Sequence, residues 1–487
     1  MKRMVAILLG SLLLVGCAVG PNYSRPPITT PEAFRGEAAP GTPTQTSPVA
    51  GAAEAGSLAD RSWWEIFPDE ILQSLIDEAL KNGYDIRLAA ARVAEARAGA
   101  GIARAEYFPA IQGQAGWLYG QGSEFTSLFT ETDGLYTANL GLSWEIDLWG
   151  RIRRLNEAAL AQYMASEEAR RGVMLSLVSD VAASYLQLRA LDTELEIAER
   201  TAAAFQETRD LFQRRYEAGT ASTLETSSAA ASLSTTLSTI PDLRRQIAAE
   251  ENHLALLLGR APGDVPRGAA LDDQILPPEI PAGLPADLLK RRPDLRQAEQ
   301  ELVAANAEVG VAVAEMFPTI RLTGVFGGVA PQVSELFGKG KTWSVGAGLL
   351  TPVFQGRRLK NQHRAALARW EQAKVRYERD VTNAFGEVST SLVAYRELAG
   401  VEAEQTHAVA SYQQAVELAN ERYLSGLADY LEVLLAQRQL FPAENALART
   451  RYDRLAVLVQ LYRALGGGWS LPDDQWAKRE QSVREPS

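Results

Sequence analysis

Cysteine is almost absent from this chain. Cys17 is the only one in 487 residues, so no intrachain disulfide can form. Histidine is nearly as scarce. His253, His363 and His407 lie far apart and share no metal-ligand spacing, and each reads as an ordinary helix-surface residue. There is no nucleophile motif, phosphate loop or metal set, so the sequence offers no catalytic constellation and requires no cofactor. Positive charge is also short: the net charge is −11, which disfavours a nucleic-acid surface. The apolar run from Val5 to Val15 is too short to cross a bilayer as a helix.

That run belongs to an export signal. Lys2 and Arg3 precede it, as the positive end of a leader should. It ends in Leu14-Val15-Gly16-Cys17, which resembles the lipobox of bacterial lipoproteins. By that resemblance residues 1–16 are a signal peptide and Cys17 becomes the first mature residue, carrying acyl chains. Several chains together anchor firmly where one does not. A plain signal peptide with a chance cysteine is the alternative. Ala18 lacks the inner-membrane retention signal that Asp gives at this place in Gram-negative lipoproteins. From there to about Asp60 the chain is rich in Pro, Gly, Ala and Thr. The composition predicts an extended tether over 17–60, largely without regular structure.

The stretch from Leu135 to Trp149 organises the rest. Tyr136, Ala138, Leu140, Leu142, Trp144, Ile146 and Leu148 alternate with Thr137, Asn139, Gly141, Ser143, Glu145 and Asp147. Period two predicts a strand with one apolar and one wet face. Its length suits a tilted membrane strand, which takes ~9–11 residues. After Gly150 the period turns helical and stays so until Gly219, about 68 residues and roughly 100 Å of helix.

The chain contains itself twice. ALKNGYDIR (79–87) matches LLKRRPDLR (288–296), Tyr107-Phe108-Pro109 matches Met316-Phe317-Pro318, and Gly150-Arg151 matches Gly356-Arg357. RRYEAG (214–219) matches ERYLSG (421–426), and Leu258-Gly259 matches Leu465-Gly466. The separations 109→318, 150→356 and 219→426 are 209, 206 and 207 residues. Two copies of one unit are therefore predicted over 61–260 and 289–466, joined by a Pro-rich connector over 261–288 and followed by a tail over 467–487. Each copy runs helix, Phe-Pro stop, two strands, long helix, glycine turn and returning helix.

The other strands are predicted over 110–120, 319–329 and 342–351. Ile111, Ala115, Trp117 and Tyr119 share a face of the first; Ile320, Leu322 and Phe326 of the second; Trp343, Val345, Ala347 and Leu349 of the third. Trp and Tyr near strand ends suit the aromatic girdles of outer-membrane barrels. On this reading Leu140, Leu142, Val345 and Leu349 meet lipid, Asn139, Gly141 and Ser344 face water, and loops 121–134 and 331–341 lie outside the cell. The long helices carry a coiled-coil seam, from Leu188 through Phe205 and Phe212 to Tyr216, and from Tyr395 through Val409 and Ala419 to Tyr423, interrupted by Arg209, Glu402 and Gln405. Their other faces are charged, so they are not transmembrane.

Unclosed strand edges cannot face lipid, because every backbone polar group there needs a partner. The smallest membrane barrels have about eight strands, and this chain offers four. Either it stays out of the membrane or several chains share one barrel. Three chains would supply twelve strands, although the sequence does not fix that number.

The whole pattern resembles the TolC/OprM family of outer-membrane efflux proteins, and within it the lipoproteins of resistance-nodulation-division pumps. The residues that carry the resemblance run from Cys17-Ala18-Val19-Gly20-Pro21-Asn22-Tyr23 with Arg25-Pro26, through Trp63-Trp64, Phe67, Leu72 and Leu75-Ile76, to the Phe-Pro pairs, Asp147-Leu148-Trp149-Gly150-Arg151, Tyr423 to Gly426 and Ala436-Gln437. The resemblance implies a mixed α and β membrane fold: a homotrimer with a twelve-stranded barrel in outer-membrane lipid, continued by a periplasmic helical tunnel with a belt around it. It implies a periplasmic adaptor and an inner-membrane pump as partners, and a passive exit duct for drugs or other small molecules. The exit duct of a protein secretion system shares this architecture. A periplasmic coiled-coil scaffold or adaptor is a reading of another class, which the four alternating strands oppose.

The turns at Gly219 and Gly426 are expected at the periplasmic mouth. Six residues after each stands a glutamate, Glu225 and Glu432, giving up to six carboxylates around one opening of a trimer. Crowded like charges would raise some of their pKa values. Two roles stay open. The family has an acidic gate position here in some members. Yet Ser222-x-x-Glu225 and Asp429-x-x-Glu432 also have capping-box spacing, and an acid in the first turn suits the helix dipole. Leu431 matches a leucine that constricts the mouth in some relatives, or packs in the core. Some relatives carry Asp nine residues past the glycine; Leu435 stands there instead, so a second acidic ring is not supported. Tyr216 and Tyr423 fall beside the turns as packing residues able to hold the tip shut.

Mass spectrometry of the mature N-terminus should find Cys17 acylated; an unmodified Cys17 or cleavage elsewhere would refute the anchor.

Overall fold

The computed structural model describes residues 18–31, 33–35, 58–120, 133–274 and 285–468. The leader, Cys17, loop residues 121–132 and the tail from Trp469 lie outside them. Elements occur twice in one order. Helices α1 (Glu70–Asn82) and α2 (Tyr84–Ala105) lead into β1 (Ala110–Gly120) and β2 (Asp133–Ile146), then α3 (Arg151–Glu217) and α4 (Thr223–Leu257). After the connector come α5 (Pro293–Ala314), β3 (Thr319–Ala330), β4 (Lys341–Leu350), α6 (Arg358–Leu424) and α7 (Tyr430–Ala464). The paired helices match in length: 22 residues for α2 and α5, 67 for α3 and α6, 35 for α4 and α7.

The reasons are local. Proline follows α2 and α5 and stops each helix. The Asp147 carboxylate accepts from the Ile152 and Arg153 amides at 3.0 and 2.9 Å, capping α3 where four amides lack partners. At the other ends of α3 and α6, Gly219 and Gly426 both adopt φ 72°. Thr220 N–H then reaches Arg215 O at 2.8 Å and Leu427 N–H reaches Arg422 O at 2.9 Å, a glycine-dependent helix stop repeated in both halves.

The chain forms two compact units, and each draws on both halves of the sequence. The first takes Met1–Ile28, Arg92–Glu167 and Gln297–Arg379; the second takes Thr29–Ala91, Glu168–Arg296 and Asp380–Ser487. The first unit holds a four-stranded antiparallel sheet in the order β1-β2-β3-β4. It also holds the start of the segment read as a tether. Residues 18–31 have no regular structure, yet they are pinned. Val19 N–H donates to Trp149 O at 3.0 Å, Arg154 Nη2 to Asn22 Oδ1 at 2.7 Å, and Asn306 Nδ2 to Pro21 O at 3.0 Å. Arg25 Nε and Tyr23 Oη both donate to Glu299 Oε1, at 2.7 and 3.1 Å. Composition carries no sign of these side-chain docking points.

In the second unit the seam residues Leu188, Leu191, Ala198, Ala202, Phe205 and Phe212 are buried, as are Tyr395, Val409 and Ala419. Glu402, which breaks the seam pattern, is paired with Arg451 at 3.3 Å and with Arg454. The connector is tied down by Asp69, itself 7 % exposed. Asp69 Oδ1 caps α1 through Ile71 and Leu72 N–H at 2.9 and 3.2 Å. Its Oδ2 accepts from Tyr185 Oη, Ala269 N–H and Gln274 Nε2 at 2.8, 2.9 and 3.2 Å. Burial pushes the Tyr185 phenol well above its ordinary value, so it stays a neutral donor. Gly268 passes so close that a Cβ there would stand 2.2 Å from Asp69 Oδ1.

Asp69→Ala removes a helix cap and strands buried donors, which together should cost about 2–4 kcal/mol. The loss should appear as a lowered midpoint in thermal unfolding followed by circular dichroism, and an unchanged midpoint would refute the hub.

Candidate functional site: a sheet with two open edges and a helical tip

Strand register decides which side chains share a face. Tyr136, Ala138, Leu140 and Leu142 lie opposite Trp117, Ala115, Gly113 and Ile111 of β1. On the other side Leu140, Trp144 and Ile146 lie opposite Phe326, Leu322 and Ile320 of β3. Phe326, Leu322 and Ile320 in turn meet Trp343, Ala347 and Leu349 of β4. All four strands therefore present one continuous apolar face, and Gln112, Asn139, Thr323 and Ser344 fall on the opposite, polar face. Both faces are open to surroundings in a single chain: Val345 and Trp117 on the apolar face are 80 % and 61 % exposed, and Leu118 on the other face is 59 % exposed. Aromatic rings group on the apolar side, with Trp117 stacked on Tyr119 at 5.9 Å and tilted toward Tyr136 at 6.4 Å. Among the described residues the outer edges of β1 and β4 have no neighbouring strand.

The tip belongs to the second unit. Phe205 and Phe212 of α3, Ala229 and Leu233 of α4, Ala419 of α6, and Tyr430, Val433 and Leu434 of α7 form one buried cluster. Tyr430 is its centre. Its ring stands edge-on to Phe212 at 4.4 Å and to Tyr423 at 5.1 Å, and its hydroxyl is 2.6 Å from Thr208 Oγ1. Burial raises its pKa. Arg215 donates from Nη1 to Tyr423 Oη and lies 5.0 Å from the Tyr423 ring centroid.

The family model of outer membrane efflux proteins matches residues 75–260 and 284–467. The chain belongs to the outer membrane efflux protein family. It is 36 % identical to the probable efflux pump outer membrane protein TtgC of Pseudomonas putida, over 100 % of this chain and 99 % of TtgC. It is 32 % identical to the cation efflux system protein CusC of Escherichia coli, over 94 % of this chain and 98 % of CusC. A crystal structure of CusC aligns with TM-score 0.81 at 31 % identity, covering 93 % of this chain and 100 % of that one. The open state of the Neisseria gonorrhoeae MtrE outer membrane channel aligns with TM-score 0.81 at 30 % identity, covering 93 % and 99 %. This efflux protein thus has the mixed α and β fold of TolC-like channels, resides in the outer membrane and serves as the exit duct of an efflux pump. Among the described residues no helix is long and apolar enough to cross a membrane.

The tip glutamates of this efflux protein take different partners. Glu225 closes a capping box: its Oε2 accepts from the Ser222 amide at 2.7 Å and the Ser222 hydroxyl at 2.8 Å, and Ser222 Oγ accepts from the Glu225 amide at 3.3 Å. Those bonds, led by the one from the backbone, hold Glu225 below the usual carboxylate range. Within one chain the direction is opposite to the rise expected from crowded charges, because the nearest groups are donors. Glu432 pairs instead with Arg422 Nε at 3.3 Å, and the Asp429 side chain makes no cap bond. The repeat explains the contrast. Arg215 and Arg422 are equivalent positions, but Tyr423 engages the first.

Leu431 is 62 % exposed and Tyr216 is 47 % exposed in the single chain. Tyr423 is half-buried against the cluster. The two tyrosines therefore differ despite equal sequence positions. Tyr423 meets Tyr430 edge to face, whereas the residue matching Tyr430 in the first half is the smaller Thr223. Sequence reading missed Tyr430, Thr208 and the two arginines. The Arg-Tyr pair before each glycine was the available signal for the arginines.

The Glu225 contribution is full above the unfolded carboxylate value of ~4.3 and is lost as pH falls through the lowered folded value. Ser222→Ala should cost about 1 kcal/mol of local helix stability, seen as faster hydrogen exchange at the first amides of α4. Glu225→Gln should keep much of that protection, since glutamine also completes a capping box, and should remove its acid sensitivity.

Proposed function

We propose that three copies of this chain share one twelve-stranded barrel and form a passive conduit. The duct carries drugs or other small molecules outward, driven by a periplasmic adaptor and an inner-membrane resistance-nodulation-division pump. Acyl chains on Cys17 fix the N-terminus in outer-membrane lipid. The carrying observation is the four-stranded sheet: one apolar face runs unbroken across all strands, yet both edges are open. An open edge cannot meet lipid, and four strands fall short of the about eight that the smallest membrane barrels use. Copies of the same chain satisfy both constraints.

Glu225 and Glu432 lie at the periplasmic mouth, where three copies supply a ring of acidic groups. Intrachain capping and the Arg422 pair compete for these carboxylates, so the ring acts on the pore only as far as the side chains leave those partners. Leu431, Tyr216 and Tyr423 narrow the same opening around the turns at Gly219 and Gly426. Substrate choice rests with the inner-membrane partner.

Cysteines placed one at a time in assembled protein test the barrel. Asn139→Cys, Gly141→Cys and Ser344→Cys should react with a membrane-impermeant thiol reagent, while Leu140→Cys, Leu142→Cys, Val345→Cys and Leu349→Cys should be spared. Equal labelling of both sets would overturn the lipid-facing assignment. Arg at Leu140 or Val345 should destabilise the folded barrel by ~2–4 kcal/mol at mid-membrane depth.

A further inference from the structure

The β2–α3 and β4–α6 corners are related by the internal repeat, yet their charges differ. The long helices begin at Arg151 and Arg358, a shift of 207 residues (151→358). At the first corner each cation has an acid. Arg151 pairs with Glu145 at 2.8 Å, Arg153 with Asp147 at 3.2 Å and Arg154 with Glu157 at 2.7 Å. The same shift carries Arg151 and Arg153 onto Arg358 and Lys360, but it carries Glu145, Asp147 and Glu157 onto Pro352, Phe354 and Arg364. No acid occurs from Thr351 to Trp370. Arg357, Arg358, Lys360 and Arg364 are all exposed, and among the described residues none of the four forms an ion pair. Cations at the start of a helix oppose its dipole, so this charge does not serve α6 itself. Arg357 also holds φ 68°, a conformation that glycine adopts without strain.

The N-terminal strap tells which surroundings these corners meet. Val19 N–H donates to Trp149 O at 3.0 Å, and a Cβ built on Gly150 would stand 2.7 Å from Ala18. Ala18 follows Cys17 directly, so an acyl anchor there enters lipid beside the β2–α3 corner. That puts this corner, and its repeat at β4–α6, at the headgroups of the periplasmic leaflet; the step rests on the acyl-anchor reading. The strap crosses α5 at Glu299, Asn306 and Gly310. At ~100° per residue these lie opposite Glu308, Val311 and Glu315, which line a cavity between α3, α5 and α6. On α6 the cavity takes Gln362 and Arg369, and Arg358 donates to Gln355 and Gln362. Lys360 and Arg364 lie roughly 160–200° round the helix from Gln362, on the side away from the cavity.

We propose that the β4–α6 corner binds the phosphate of an anionic phospholipid through Arg357, Lys360 and Arg364, with Val353 and Phe354 against its acyl chains. Val353 and Phe354 are 92 % and 89 % exposed. An apolar pair beside clustered cations matches the two ends of a lipid, and basic clusters at a membrane surface attract anionic headgroups. Arginine adds a planar fork that fits phosphate oxygens. At the first corner the chain brings its own anchor and its cations are already neutralised. The second corner has the cations and no anchor, so a free lipid supplies both the anion and the acyl chains.

Lipid binding to the delipidated full-length protein in a nonionic detergent tests the site, with heat-modifiable migration as the check on folding. Fluorescent phosphatidylglycerol should bind roughly fivefold more tightly than phosphatidylcholine with the same chains. Arg357→Gly, Lys360→Gln and Arg364→Gln together should bring that ratio close to one. Arg358→Gln, on the cavity side, should leave it unchanged. Should the triple change misfold, Arg357→Gly relieves a left-handed residue and should by itself lower the ratio about twofold. Equal binding of both lipids by the unaltered protein would overturn the site. So would a ratio that survives the triple change, or one that Arg358→Gln alone abolishes. A folded triple variant that loses binding to isolated peptidoglycan but keeps its lipid preference would give these cations to the cell wall instead. Mass spectrometry of the same preparation reports on Cys17 separately. Unmodified Cys17 with the ratio intact would refute the anchor and leave the site; acylated Cys17 without the ratio would refute the site and leave the anchor.

Discussion

Unpaired backbone at the two edges of one sheet sets the terms for this protein. A peptide N–H or C=O without a partner costs several kcal/mol in hydrocarbon. The sheet has an apolar face that fits lipid and too few strands to close on itself. Its open edges are therefore its chief liability. A soluble protein would blunt such edges with charge or proline. Here β4 runs Trp343, Val345, Ala347 and Leu349 on one face, and β1 runs Ile111, Ala115, Trp117 and Tyr119. The first charged residue met along β4 is Lys341, at its start.

The helical part meets a different constraint. Helices of 67 residues with mostly charged faces gain little from propensity and depend on a narrow apolar seam. Their ends are fixed by positions where only a few side chains suffice: Asp147 at the start of α3, glycine with φ 72° at the ends of α3 and α6. Between these ends, one buried carboxylate gathers several elements at once. Asp69 holds five donors from α1, α3 and the connector, so the connector has one seat.

At the tip, equivalent positions of the two halves carry different side chains. Thr223 in one half and Tyr430 in the other leave Tyr216 exposed and Tyr423 packed edge-on against an aromatic ring. Ser222 completes a capping box that Asp429 does not, because Glu432 is drawn to Arg422. An acidic residue at the same repeat position thus does two jobs. The first carboxylate serves the helix terminus, and the second ties the end of α6 to the start of α7.

Period and repetition made the strands, their apolar faces, the long helices and the turning glycines readable from the chain alone. Backbone geometry converts a period of two or 3.6 directly into a face, and a glycine at a helix end needs no distant partner. The pinning of residues 18–25 through Arg154, Asn306 and Glu299 was hidden, because those partners lie more than 100 residues away. The Asp69 hub was hidden for the same reason: its partners at 185, 269 and 274 meet only when the chain has folded. Capping-box spacing was legible at both tip glutamates, but spacing fixes only which residues are within reach. Which one closes the box was decided by the tertiary position of two arginines, one taken by Tyr423 and the other left to Glu432.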